Sequence, residues 1–148
     1  MDIVFFGSSN FAVPSLKALL SCAHKISCVV TQPDKKRGRG LSLGITPIKE
    51  VARDFNLKIY QPENIKTREA IKLLKTFNPD LLIVIAYGQI LPQEILDIPK
   101  IFAINVHASI LPKYRGAAPV SWALIKDEKT IGVTVIKMTK EMDAGPII

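Results

Sequence analysis

The sequence predicts an α/β fold on a mostly parallel sheet with flanking helices, and three observations carry that prediction. Short, β-branched apolar runs alternate along the chain with amphipathic helical stretches, the order that feeds right-handed crossovers. One run, Leu81–Ala86, is apolar without a break, as in a strand buried on both faces of a parallel sheet. The 148 residues, 48% hydrophobic and 22% charged, suffice for one buried core. That composition excludes intrinsic disorder, a coiled coil and a collagen-like fibre. No apolar run reaches the roughly 18 residues of a membrane span.

Taken in order, Asp2–Gly7 reads as a strand and Phe11–Cys22 as a helix, with Pro14 in the first turn where a missing N–H does no harm. Ile26–Thr31 is a second strand. Thr46-Pro47 pairs an N-cap with a proline at the first helical position and opens a helix to about Phe55. Leu57–Tyr60 is a short strand. Thr67–Phe77 is a helix with Ala70, Ile71, Leu74 and Phe77 on one stripe, broken by Asn78-Pro79-Asp80. Leu81–Ala86, Phe102–Ala108 and Thr130–Met138 complete the strands, with a helix around Val120–Lys126 before the last. No repeat or low-complexity tract divides the chain.

The expected architecture is Rossmann-like, but it lacks the dinucleotide site of such folds. The first strand runs into Gly7-Ser8-Ser9-Asn10-Phe11, which holds one glycine where G-x-G-x-x-G needs three, and no glycine precedes Lys-Ser or Lys-Thr. Two histidines, His24 and His107, form no ligand-spaced cluster, so no metal is expected. Asp2 precedes the first strand where a secretory leader would carry basic residues, and two cysteines give no disulfide framework, so a cytoplasmic protein is expected.

Three polar residues stand out as candidate chemistry. Asn105 and His107 lie two apart on a predicted strand, so period-two alternation points them to one face at the strand's carboxyl end, where α/β sheets keep their ligands. Asp143 follows the last strand in a loop. An amide and an imidazolium can both donate to a developing oxyanion, while a carboxylate favours the charged imidazole and helps to receive protons. Such a set suits direct acyl transfer to an amine without a Ser or Cys nucleophile. On spacing alone, the same pattern also describes a hydrogen-bonded core histidine.

The run Asn105-x-His107-x-Ser109-Ile110-Leu111-Pro112-Lys113-Tyr114-Arg115-Gly116-Ala117-Ala118-Pro119 resembles the signature of folate-dependent formyltransferases, and among them the methionyl-tRNA formyltransferases. The resemblance extends through Phe5–Phe11, Thr31-Gln32-Pro33-Asp34, Ala86–Pro92 and Asp143-x-Gly145. Ile110 stands where that family commonly has leucine, a swap that keeps the apolar volume. The resemblance implies Asn105, His107 and Asp143 as the catalytic trio. It also implies 10-formyltetrahydrofolate as donor, held by Tyr87, Gly88, Gln89, Ile90, Leu91 and Pro92 and by Ser109, Ile110, Leu111, Pro112 and Lys113. Apolar walls with backbone donors and acceptors at the rim suit a flat, polar-edged pterin.

The net charge of +7 has a local source. Asp34-Lys35-Lys36-Arg37-Gly38-Arg39-Gly40 packs four positive charges against one negative in a glycine-hinged loop. Charge alone fits a solvated loop as well as one that follows a phosphate backbone. The resemblance implies contact with the acceptor arm of initiator methionyl-tRNA, through Arg39 first and then Lys35, Lys36 and Arg37. It further implies a monomer in which residues 1–148 are a catalytic domain incomplete at its C-terminal end, without the family's smaller β-rich tRNA-binding domain. Rival readings keep the chemistry but change the acceptor to a sugar nucleotide or glycinamide ribonucleotide, or drop catalysis for a folate- or RNA-binding module. Marginal stability or self-association is expected where a closing helix is missing.

Overall fold

A computed structural model describes residues 1–37 and 42–148. Its main sheet has six strands: β1 (Asp2–Gly7), β2 (Lys25–Val30), β5 (Ile59–Tyr60), β6 (Leu81–Ile85), β7 (Phe102–His107) and β8 (Thr134–Lys137). Their order is β5-β2-β1-β6-β7-β8, parallel throughout except for the antiparallel β7–β8 pair. The chain thus winds outward from β1 in one direction through β2 and in the other through β6. The carboxyl ends of β1 and β6 lie side by side at the switch point, where such sheets open a crevice.

Alternation along the strands builds a core on each face. On one face Val4, Phe6, Leu82 and Val84 pack with Ala70 and Leu74 of α3 (Arg68–Thr76) and Ile95 and Leu96 of α4 (Gln93–Leu96). On the other, Ile3, Phe5, Leu81 and Ile83 meet Leu16 of α1 (Val13–Leu20) and Ile48, Val51 and Ala52 of α2 (Pro47–Asp54). Each large aliphatic or aromatic side chain so buried stabilises the fold by about 1.5–3 kcal/mol. Burial also pushes the Cys28 thiol up to about 12.

The caps follow the sequence. Thr46 Oγ1 accepts from Lys49 N at 3.1 Å ahead of Pro47, and Thr67 Oγ1 accepts from Ala70 N at 3.2 Å. Asn56 and Asn78 close the same two helices with left-handed φ of 52° and 46°.

Three elements depart from expectation. The last strand starts at Thr134, not Thr130, because its partner β7 ends at His107, opposite Thr134, and residues before Thr134 have no ladder to join. The turn α4 was not foreseen. The described part of the basic segment is paired, with β3 (Lys35–Arg37) antiparallel to β4 (Ser42–Gly44). Helix α5 (Pro119–Ile125) forms near its expected place but buries only Ala123, leaving Val120, Trp122, Leu124 and Ile125 exposed. No helix among the described residues is long and apolar enough to cross a membrane.

Candidate active site

The sheet delivers Asn105 and His107 to one place. They occupy alternate positions near the carboxyl end of β7, paired with Ile136 and Thr134 of β8. The chain then leaves β8, turns, and comes back along it: Lys137 N donates to Pro146 O at 2.9 Å and Ile148 N to Val135 O at 2.9 Å. This return requires Gly145, because a Cβ there would sit 1.7 Å from the Lys137 carbonyl oxygen. Two residues upstream, Asp143 is thereby set against β7.

Asp143 is the hub of the trio. Its Oδ1 accepts from Asn105 Nδ2 at 3.0 Å, and its Oδ2 accepts from Gly116 N at 2.9 Å and lies 3.4 Å from His107 Nδ1. The other ring nitrogen, His107 Nε2, is 2.8 Å from the Tyr114 carbonyl oxygen. Nε2 is thus within hydrogen-bond distance of a carbonyl, and Nδ1 within ion-pair range of the carboxylate. The His107 and Asp143 side chains are only 7% and 10% exposed, so their interaction is little screened by water.

These groups line a cavity of about 710 Å³ at the sheet's carboxyl edge, within the usual range for small-molecule sites. Five residues on its wall hold φ between 46° and 92°: Ala86, Gly88, Gly116, Ala118 and Asp143. Three of them are not glycine, so the wall stores backbone strain, as functional sites often do.

The predicted donor-binding residues divide. Tyr87, Gly88, Gln89, Ile90 and Leu91 lie on the cavity wall, while Pro92 caps α4. Two of the side chains are committed elsewhere. The Tyr87 ring is 2% exposed and packs edge-on against Phe6 at 5.3 Å, and burial raises its phenol above the ordinary range. Gln89 braces the preceding loop, accepting from Ile65 N at 2.9 Å and donating to Glu63 O at 3.2 Å. Backbone and apolar surface therefore face the cavity from this loop more than those polar groups do.

Of the second segment, Ser109, Ile110 and Lys113 line a separate cavity of about 180 Å³, Leu111 is buried, and Pro112 is exposed. Ser109 Oγ donates to Lys113 O at 2.6 Å, and Thr134 Oγ1 donates to Ser109 O at 2.6 Å while accepting from Leu111 N at 3.0 Å. The turn is built by these bonds, and the structure does not bring it onto the wall of the larger cavity. Sequence reasoning missed Gly116 and the Tyr114 carbonyl as members of the site. The signal was the glycine itself, since nothing but a special backbone conformation calls for one there.

The backbone of Lys35, Lys36 and Arg37 runs along β3, and Arg39 lies outside the described residues. The base of the β3–β4 pair is tied down: Asp34 takes an ion pair from Lys49 and a hydrogen bond from Gln61 Nε2 at 2.8 Å, and the Thr31 and Thr46 hydroxyls meet at 2.7 Å. Lys49 and Gln61 together hold the Asp34 carboxyl below the usual carboxylate range.

The family model described as formyl transferase matches residues 1–148. The chain belongs to the formyl transferase family. It is 57% identical over 146 residues to a methionyl-tRNA formyltransferase of Thermodesulfovibrio yellowstonii, covering 99% of this chain and 47% of that protein. It is 49% identical over 148 residues to that of Clostridioides difficile, covering 100% of this chain and 48% of the other. The chain thus spans about half the length of the curated relatives it matches. Among solved structures, a phosphoribosylglycinamide formyltransferase from Bacillus halodurans superposes with a TM-score of 0.78 at 18% identity, over 100% of this chain and 77% of that one. A formyltetrahydrofolate deformylase from Pseudomonas syringae gives 0.74 at 24%, over 99% and 48%. These likenesses bear out the mostly parallel formyltransferase fold expected from the strand pattern.

Proposed function

We propose that the protein transfers a formyl group from 10-formyltetrahydrofolate to the amino group of methionyl initiator tRNA. The observation that carries this reading is the convergence of Asn105, His107 and Asp143 on one cavity, in a chain 49–57% identical to proteins named methionyl-tRNA formyltransferases. The amine adds to the formyl carbon of the bound folate, and as the resulting oxyanion collapses the folate C–N bond breaks, its nitrogen taking up a proton to balance the one the amine gives up. Asn105 has a second amide hydrogen that Asp143 does not use, free to donate to the formyl oxygen as charge develops there. His107, held between Asp143 and the Tyr114 carbonyl, sets positive charge beside that oxygen. Asp143 orients both and takes part in removing the amine's proton. This trio needs no metal.

In this reading Tyr87–Leu91 form the donor wall through backbone and apolar surface, and Ser109–Lys113 support β7 from behind. The basic segment with Lys35, Lys36, Arg37 and Arg39 meets the phosphates of the acceptor arm, next to a base held by Asp34, Lys49 and Gln61. Residues 1–148 carry the catalytic groups of an enzyme that acts in the cytoplasm as a monomer.

The test is formyl transfer from 10-formyltetrahydrofolate to methionyl-tRNA by the protein and by His107→Ala and Asp143→Asn. Each variant is expected to lose about 10²–10⁴ in turnover while remaining folded. Near-normal turnover in either variant removes the trio from the mechanism.

A further inference from the structure

A second cluster of titratable groups lies behind the trio, off the wall of the larger cavity. Tyr114 Oη donates to Glu128 Oε1 at 2.8 Å, and Lys113 Nζ donates to the same oxygen at 3.0 Å. Glu128 is itself tied to the end of α5, its N–H donating to Ala123 O at 3.0 Å.

The backbone of the Tyr114–Gly116 turn is what holds the trio from this side. The Tyr114 carbonyl oxygen lies 2.8 Å from His107 Nε2, and the Gly116 N–H donates to Asp143 Oδ2 at 2.9 Å. Tyr114 and Gly116 both adopt left-handed backbone, with φ of 56° and 89°. For a tyrosine that conformation is strained and persists only where the surroundings impose it. Two of the turn's bonds go to the very groups it has to orient. The Tyr114 phenol supplies a bond that leads away from them, into the scaffold.

We propose that Glu128 is a positioning residue: by anchoring the Tyr114 phenol it fixes the carbonyl and the N–H that orient His107 and Asp143. The inference rests on reading the trio as the formyl-transfer site. Glu128 lies on the smaller cavity of about 180 Å³ and not on the larger one, so it acts through Tyr114 and touches no reacting group. The phenol's hydrogen bond pulls the Glu128 carboxyl below its ordinary range and raises the phenol above its own, which keeps the proton on tyrosine and the bond running one way. Lys113 is 65% exposed, and its ion pair with Glu128 is of the screened surface kind that holds little.

The decisive measurement reads His107 directly. The chain has two histidines, and His24 is exposed, so side-chain ¹⁵N spectra separate into one reporter and one internal control. Glu128→Ala and Tyr114→Phe are expected to move the His107 Nε2 resonance and to speed exchange of its proton, with His24 unchanged. Glu128→Gln keeps an oxygen that accepts from the phenol and is expected to leave the resonance in place. In formyl transfer, Glu128→Ala should lower kcat about tenfold with donor KM within about twofold, and Glu128→Gln should restore it. The Tyr114→Phe/Glu128→Ala double variant should fall no further than either single one. If Glu128→Ala does not fold, Tyr114→Phe, which removes one oxygen, carries the same test.

An unmoved His107 signal, or additive losses in the double variant, overturns the proposal. Full kcat despite a moved signal overturns it as well. Should the unaltered protein fail to formylate methionyl-tRNA while the spectra shift as expected, the functional reading fails and the positioning role stands.

Discussion

Gly145→Ala tests how the fold places the carboxylate without touching any reacting group. The added Cβ would lie 1.7 Å from the Lys137 carbonyl oxygen, an approach to backbone that real Cβ atoms essentially never make below 3.0 Å. The returning strand has to retreat from β8 by more than an ångström. The bond from Lys137 N to Pro146 O, 2.9 Å long, lies next to the clash and is the first to break, at a cost of about 1 kcal/mol. Two residues away, Asp143 holds Asn105 at 3.0 Å and Gly116 at 2.9 Å, distances that a shift of that size takes out of hydrogen-bond range. A misplacement of about 1 Å in a catalytic group costs on the order of 10²-fold in rate. Formyl-transfer kinetics should therefore show kcat down about 10²-fold. Thermal unfolding should report a fold still cooperative, with the melting temperature lowered by roughly 2–4 °C. Because the loss runs through Asp143, adding Gly145→Ala to Asp143→Asn should cost nothing further in kcat. A Gly145→Ala protein with kcat within about threefold of the original would show that the close approach to β8 does not set the carboxylate.

Replacing Lys35, Lys36, Arg37 and Arg39 together by glutamine should raise the acceptor KM at least about tenfold and flatten its dependence on salt, since each phosphate the protein no longer neutralises takes about 0.7–0.9 off the log–log slope. Donor KM should stay put, and an unchanged salt slope would leave the basic segment without an acceptor role. The Asp34 carboxyl, held low by Lys49 and then by Gln61, titrates at a lower pH folded than unfolded. Its contribution to stability is complete above the unfolded value near 3.9 and is lost as pH falls through the folded one. Urea unfolding of Asp34→Asn at neutral and acid pH should show lower stability at pH 7 and a shallower decline below about pH 4. A decline as steep as the original's would mean the Asp34–Lys49 pair contributes no pH dependence.

What could be read in advance divides along a physical line. Strands and helices repeat one backbone conformation, so periodicity in Ile3-Val4-Phe5-Phe6 or in Ala70, Leu74 and Phe77 places them without knowledge of distant residues. The Thr46-Pro47 cap is equally local. Asn105 and His107 were legible for the same reason, since strand pleat alone puts them on one face. The rest of the site depends on groups far apart in sequence, and there local pattern is silent. Tyr87 and Gln89, read as donor-binding residues, turn their side chains to Phe6 and to the loop before α3, because burial and unpaired backbone groups nearby compete for them. Ser109–Lys113 is held by Thr134, a residue 25 positions from Ser109, on the side away from the larger cavity.

Backbone conformation on the cavity wall is the hardest part to anticipate. Gly88 and Gly116 advertise positive φ, but Ala86, Ala118 and Asp143 adopt it with no such sign. An L-residue takes that shape only when surrounding interactions outweigh a local cost of about 1–2 kcal/mol. For Asp143 those interactions are visible: Asn105, Gly116 and His107 on one side, and the pairing of Pro146 and Ile148 with β8 on the other. The strained residue is therefore the product of the whole carboxyl edge of the sheet. This makes substitutions at Gly145, Tyr114 and Glu128, none of which is in the trio, the informative ones for how the fold holds His107 and Asp143 in place.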